Sequence, residues 1–264
     1  MNRIILFGTS ILIIRYFLLI RSDNDKDDYQ INSNTLGLTF SPTGSLFMYS
    51  HGIAAYLEDK FDLRNVIFAG NSGGCQAAFF LASGIGMDAG LNKWYLPMMK
   101  DINNDNLRHP FLTTSFKRSK RYLGRLVNQD MVNNLYNRLF LVVTHFPFFR
   151  SIIFSKYDDF DDLFYIIQGT QYIPFIFGWP LALHKWKLIC DGWLSCKIHK
   201  PVKNIKWLRL DPFKWKRFKS SDGLRSFKHF HDIDYNLELR NLGYQDAEKN
   251  HQEFIKFGLT EKFF

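Results

Sequence analysis

Short apolar runs separated by turn-forming residues give the chain its framework. Residues 36–41 (Leu-Gly-Leu-Thr-Phe-Ser) predict a buried first strand, and Pro42-Thr43-Gly44-Ser45 a tight turn. Residues 46–59 carry apolar side chains at 46, 49, 53 and 57, one face of a helix. Residues 66–69 (Val-Ile-Phe-Ala) predict a second strand, which runs through Gly70-Asn71-Ser72-Gly73-Gly74 into a helical run rich in small residues. Strand, turn, helix, strand, turn, helix implies an α/β fold with a mostly parallel sheet flanked by helices. Residues 91–101 and 130–138 have helical character, and 139–144, 151–155, 187–190 and 205–210 read as further strands. The acidic run 158–162 before an apolar stretch reads as a capped, solvated helix start rather than a metal site. Residues 239–257 predict a closing helix, its start interrupted by Gly243-Tyr244.

The ends of this pattern differ from its middle. Residues 4–20 are apolar apart from Gly8, Thr9, Ser10 and Arg15, at the short edge for a bilayer span and with a costly central arginine. No small-residue cleavage site follows, so the expected reading is a membrane-associated N-terminal anchor, with a docked or interfacial helix as the alternative. Residues 21–34 are polar and acidic, a tether. The expected organisation is therefore an anchor plus tether over residues 1–35 and a folded domain over 36–264.

Composition narrows the class. With 46% hydrophobic and 17% aromatic residues the 264-residue chain can bury a sizeable core, which excludes wholesale disorder. The net charge of +9 favours an anionic partner. Its densest part, residues 197–219, interleaves nine lysines and arginines with Trp207, Phe213, Trp215 and Phe218. That pattern fits docking on anionic lipid headgroups, or a strand with a solvated basic rim. No nucleic-acid motif accompanies it, so specific nucleic-acid binding is not expected. Cys75, Cys190 and Cys196 form no C-x-x-C pair, which argues against a disulfide framework or a zinc site and for a reducing compartment.

The candidate chemistry lies in the turn at Gly70, Gly73 and Gly74, which lifts Ser72 to its apex with a helix starting directly behind. A serine nucleophile needs exposure of this kind next to the unpaired N–H groups of a helix N-terminus. The five residues alone also fit a flexible surface loop; the strand before and the helix after favour the nucleophile. Asp191-Gly192 ends a strand, where an aspartate is either a turn former or part of a site at the sheet's carboxyl edge.

Taken together, these stretches resemble the patatin-like phospholipase family, which includes the patatins and the adipose-type triglyceride lipases. The likeness runs from about Leu36 to about Phe257. Gly70–Gly74 matches the family's G-x-S-x-G, and Asp191-Gly192 the first two positions of its D-G-[GA], with Trp193 at the third. The run from Leu163 to Pro174 resembles the helix before that aspartate, and Gly243-Tyr244 with Ala247 the C-terminal helix. The resemblance implies a three-layer sandwich and a Ser–Asp dyad, Ser72 as nucleophile and Asp191 as its base, with no metal or organic cofactor. No triad histidine is then required, and His51 reads as a packed or hydrogen-bonding residue. The implied substrate is an ester lipid, phospholipid or acylglycerol, met at a membrane surface.

One part of the pattern departs. Of the glycines before the family's first helix only Gly44 remains, with Pro42, Thr43 and Phe47 at the others. Proline has no N–H to offer an oxyanion, which leaves Thr43, Gly44 and Ser45 as the expected donors. Trp193 is expected to crowd the aspartate. The alternatives are thus a catalytically weak or inactive member that binds lipid, and a basic membrane-surface protein whose serine turn is incidental.

Overall fold

The computed structural model describes residues 31–32, 34–104, 113–173, 182–185, 187–195 and 200–262. Residues 4–20, and with them the expected anchor, lie outside, as do Pro174, Cys196 and Lys197. Among the described residues no helix is long and apolar enough to cross a membrane.

The described chain opens with β1 (Leu36–Phe40), a 3-10 turn (Gly44–Leu46) and α1 (Phe47–Lys60). A short β2 (Phe61–Asp62) precedes β3 (Val66–Gly70), which leads through the serine turn into α2 (Gly74–Ser83). A short helical stretch (Met87–Ala89) runs through a π-helical turn (Gly90–Tyr95) into α3 (Leu96–Asn104), followed by α4 (Thr113–Leu123) and α5 (Gln129–Asn134). Next come β4 (Leu139–Phe146), β5 (Arg150–Phe154), α6 (Phe160–Thr170), β6 (Ala182–His184), β7 (Lys187–Cys190) and β8 (Lys206–Leu210). The chain closes with α7 (Ser220–Arg225), α8 (Ile233–Lys249), α9 (His251–Phe257) and β9 (Thr260–Glu261).

The fold is a mixed α/β one with a mostly parallel sheet flanked by helices. β4, β3, β1 and β8 run parallel in that order, while β5, β6 and β7 pair antiparallel. β3 is buried at every residue and β4 at all but its last, as befits strands covered on both faces. Two registers position the site. Phe40 pairs Gly70, so β1 and β3 end level and their loops leave the same edge. Gly70 also pairs Leu141, and Cys190 pairs Thr144, while β5 pairs both Leu141 and Thr144. Since β5 fills one edge of β4, β3 and β7 share the other and meet there end to end. Gly70 and Cys190 therefore stand about three positions of β4 apart, roughly 10 Å of strand, and residues 71–72 and Asp191 enter that gap from either side.

The helices depart from the sequence reading in three places. The helix expected at 91–101 starts earlier, at Met87, and widens to a π turn over Gly90–Tyr95, where Pro97 has no N–H to return to the Lys93 carbonyl. α5 stops at Asn134 rather than reaching Arg138. The closing helix starts earlier, at Ile233, and breaks at Asn250, with Gly243 and Tyr244 inside it. Gly243 is a contact position: a Cβ there would lie 2.0 Å from the Tyr49 carbonyl oxygen of α1. That close α8 packing also explains why α1 is buried from Phe47 through Leu57 and not along one stripe. Gly243→Ala is expected to cost about 1–3 kcal/mol, read as a lower urea midpoint at unchanged slope. An unchanged midpoint would mean that α8 moves away from α1 freely. The acidic run caps α6 as expected, Asp159 accepting from the Asp162 N–H at 2.8 Å, but it is not wholly solvated: the Asp162 side chain turns inward to His184 at 2.7 Å.

Candidate active site

Ser72 sits at φ +50° between the end of β3 and the start of α2, the strained backbone that lifts a side chain off a strand-to-helix turn. The turn is closed by Gly74 N–H to Asn71 O and Cys75 N–H to Ser72 O, both 3.1 Å. Gly74 is needed because the end of β1 passes over it: a Cβ there would lie 2.5 Å from the Ser41 oxygen and 2.6 Å from the Phe40 oxygen. The Ser72 hydroxyl donates to Asp191 Oδ2 at 2.8 Å. Asp191 follows β7, is fully buried, and accepts the Trp193 N–H on Oδ1 at 2.7 Å. Burial pushes its carboxyl up to about 7, against the pull of the Trp193 N–H and the Ser72 hydroxyl.

Two threonines absent from the sequence reading hold this pair. Thr170, at the end of α6, accepts the Ser72 N–H on both its hydroxyl and its carbonyl oxygen, each at 3.0 Å, and its hydroxyl donates to Val142 O at 2.6 Å. Thr144 of β4 donates to the Asp191 carbonyl at 2.7 Å and accepts the Ser195 N–H at 3.0 Å. Thr170 lies within the stretch from Leu163 that resembles the family helix. Thr144 gives no local signal, since its role depends on where β7 meets β4.

Of the expected oxyanion donors, Gly44 lines the cavity beside Ser72 and takes φ +56°, a conformation that favours glycine. Thr43 adopts ordinary backbone angles and, with Ser45, is buried next to it. The Ser45 hydroxyl is engaged by Gly223 O at 3.0 Å and by Ser226. Gly73 also lines the cavity, and among the described residues neither the Gly44 nor the Gly73 N–H makes a hydrogen bond to the backbone. Trp193 is 54% exposed, and its N–H donates to Asp191.

The hydroxyl opens onto a cavity of about 90 Å³, walled chiefly by aromatic and aliphatic side chains from α2, α3, α4 and α6 and from residues 227–230. Its polar positions near Ser72 include Gln76 and Gln171, which pair at 2.9 Å.

No family model matches the chain. No curated protein matches it either. Among solved structures, the chain is similar to VipD from Legionella pneumophila at 12% identity and a TM-score of 0.44, over 67% of this chain and 50% of that one. It is also similar to the heterodimeric ExoU–SpcU complex from the type III secretion system of Pseudomonas aeruginosa, at 14% identity and a TM-score of 0.46, over 88% of this chain and 54% of that one. The chain spans about half the length of these matches.

Other candidate groups near the site are inert. Burial, then the Asp191 charge, raises the Cys75 thiol, and the same causes push Cys190 up to about 11. Neither supplies a thiolate at neutral pH. His51 is buried, its ring brought down to about 3 by burial and then by Arg240, whose Nε donates to Nδ1 at 3.3 Å. It is a packed, hydrogen-bonded residue.

Proposed function

We propose that the protein is a serine acyl hydrolase acting on lipid esters through Ser72 and Asp191. The observation that carries this reading is the 2.8 Å hydrogen bond to a buried carboxylate from a serine that lines an apolar cavity on a strained strand-to-helix turn. In the proposed reaction the ionised Asp191 takes the hydroxyl proton as Ser72 Oγ attacks the ester carbonyl. The carbonyl electrons move to an oxyanion that the Gly44 and Gly73 N–H groups would face. Collapse expels the alcohol, which receives the proton from Asp191, and leaves an acyl-serine. Water then attacks that ester with Asp191 again as base, releasing the acid and restoring Ser72.

The sequence resemblance supports phospholipids or acylglycerols as substrates, and the apolar walls suit an acyl chain. A membrane surface is the place to meet such a substrate, and the net charge of +9 suits an anionic one. A second reading, a lipid-binding protein with weak or no turnover, is favoured by two observations: Thr170 occupies the Ser72 N–H, and Pro42 has none. Fatty-acid release from phospholipid vesicles and acylglycerol emulsions separates the two. Release by the wild type that falls to background in Ser72→Ala supports the hydrolase. No release from any ester, with lipid still bound, supports the second reading.

A further inference from the structure

Three elements lead from Ser72 to the deep end of the cavity. α2 carries Phe80 eight residues beyond Ser72, about 12 Å at the helical rise. α6 begins far from the site and ends at Thr170 against the Ser72 N–H. α3 runs the other way: Asn103 donates to His231 O at 3.0 Å, next to Phe230, whose ring packs on Phe47 beside Gly44. At the start of α3 the Tyr95 ring still packs on Phe47, centroids 5.8 Å apart, and Trp94, one residue earlier, turns to the Phe80 side. There the Trp94 ring packs on Phe80 with centroids 5.3 Å apart. Its Nε1 donates to the Ser119 hydroxyl of α4 at 3.0 Å. Trp94 is 4% exposed, and Trp94, Phe80 and Ser119 all line the cavity.

We infer that this cavity binds one unbranched acyl chain of medium length, and that Trp94 is the end wall that sets the limit. The π turn is the device: one extra residue in the turn aims the indole at Phe80 and α4, and π turns of this kind are frequent at functional sites. Ser119 fixes the indole across the cavity, so a chain longer than the distance from Ser72 to Trp94 meets a pinned ring. The inference rests on the acyl-hydrolase reading for its activity test, but chain binding tests it without turnover.

The experiment compares p-nitrophenyl butyrate, octanoate and palmitate on wild type, Trp94→Ala and the milder Trp94→Leu. Titration calorimetry of the matching free fatty acids on the same proteins carrying Ser72→Ala gives the binding arm. Wild type is expected to prefer octanoate. Trp94→Ala is expected to move the palmitate-to-octanoate ratio of kcat/KM about tenfold or more towards palmitate, the scale of chain-length discrimination by an apolar pocket. Trp94→Leu, which keeps an apolar wall, shifts it less in the same direction. The fatty-acid affinities follow the same order. Unchanged length preference in both folded variants, in hydrolysis and in binding, would overturn the end-wall assignment. Length-dependent binding that moves with Trp94, in a protein that hydrolyses none of the esters, would uphold the cavity and sink only the hydrolase reading.

Discussion

Asp191→Asn is expected to lower kcat by about 10²–10⁴ and at the same time to stabilise the fold above neutral pH. The first effect follows from the role of the carboxylate: an amide keeps the shape and the contact with the Trp193 N–H but cannot take the Ser72 proton. The second follows from burial. The Asp191 carboxyl is pushed up to about 7 in the folded protein, above its value in the unfolded chain. The folded state therefore holds that proton more tightly, and stability falls as pH rises from the ordinary carboxylate range to about 7. Above 7 the cost is complete, at most about 4 kcal/mol for a carboxyl raised that far. Wild-type activity should rise with pH and level off above about 7, because only the ionised carboxylate is a base. The asparagine variant should lose that step and melt higher at pH 8. A variant that melts lower at pH 8 would show that the buried charge is not the cost described; one that retains full activity would remove Asp191 from the reaction.

Asp246→Ala is expected to destabilise the fold by about 1–3 kcal/mol, because it leaves a buried hydroxyl without an acceptor. Asp246 of α8 accepts the Tyr49 hydroxyl of α1 at 2.8 Å and the Arg217 guanidinium on both oxygens. Burial raises its carboxyl, but Arg217 and Tyr49 outweigh that and hold it below the usual range. Tyr49 is fully buried, and burial followed by Asp246 raises its hydroxyl. Removing the acceptor leaves that hydroxyl without a partner and frees residues 211–219 from α8. Asp246→Asn, which still accepts from Tyr49, should recover part of the loss. Urea midpoints of the three proteins decide it; a loss below about 1 kcal/mol for alanine would mean that the cluster is solvated.

That cluster also illustrates what can be read from the sequence and what cannot. The alternation of basic and aromatic residues at 197–219 suggests a lipid-facing surface. Within the folded domain Arg217 is bound to Asp246, Lys214 to Glu253 at 2.7 Å and Arg209 to Asp211 at 2.8 Å. Two of these partners lie about 30 residues or more downstream, beyond any local pattern. The serine turn is legible because its requirements are local: glycines where backbones touch, a strand before, a helix after. Asp191 is legible as a candidate from its place at a strand's end, and its pairing with Ser72 only through the family motif, since the meeting of β3 and β7 on β4 is what brings the two together. Thr144, Trp94 and the α1–α8 contact at Gly243 depend on packing between distant segments, and hydrophobic periodicity carries no trace of that.

The most direct test of the central claim is labelling of the full chain with a fluorophosphonate, which bonds only to an activated serine hydroxyl. The account predicts one covalent adduct on Ser72, lost in Ser72→Ala and slowed in Asp191→Asn. A folded wild type that takes up no label, or a label carried by another serine, would contradict it.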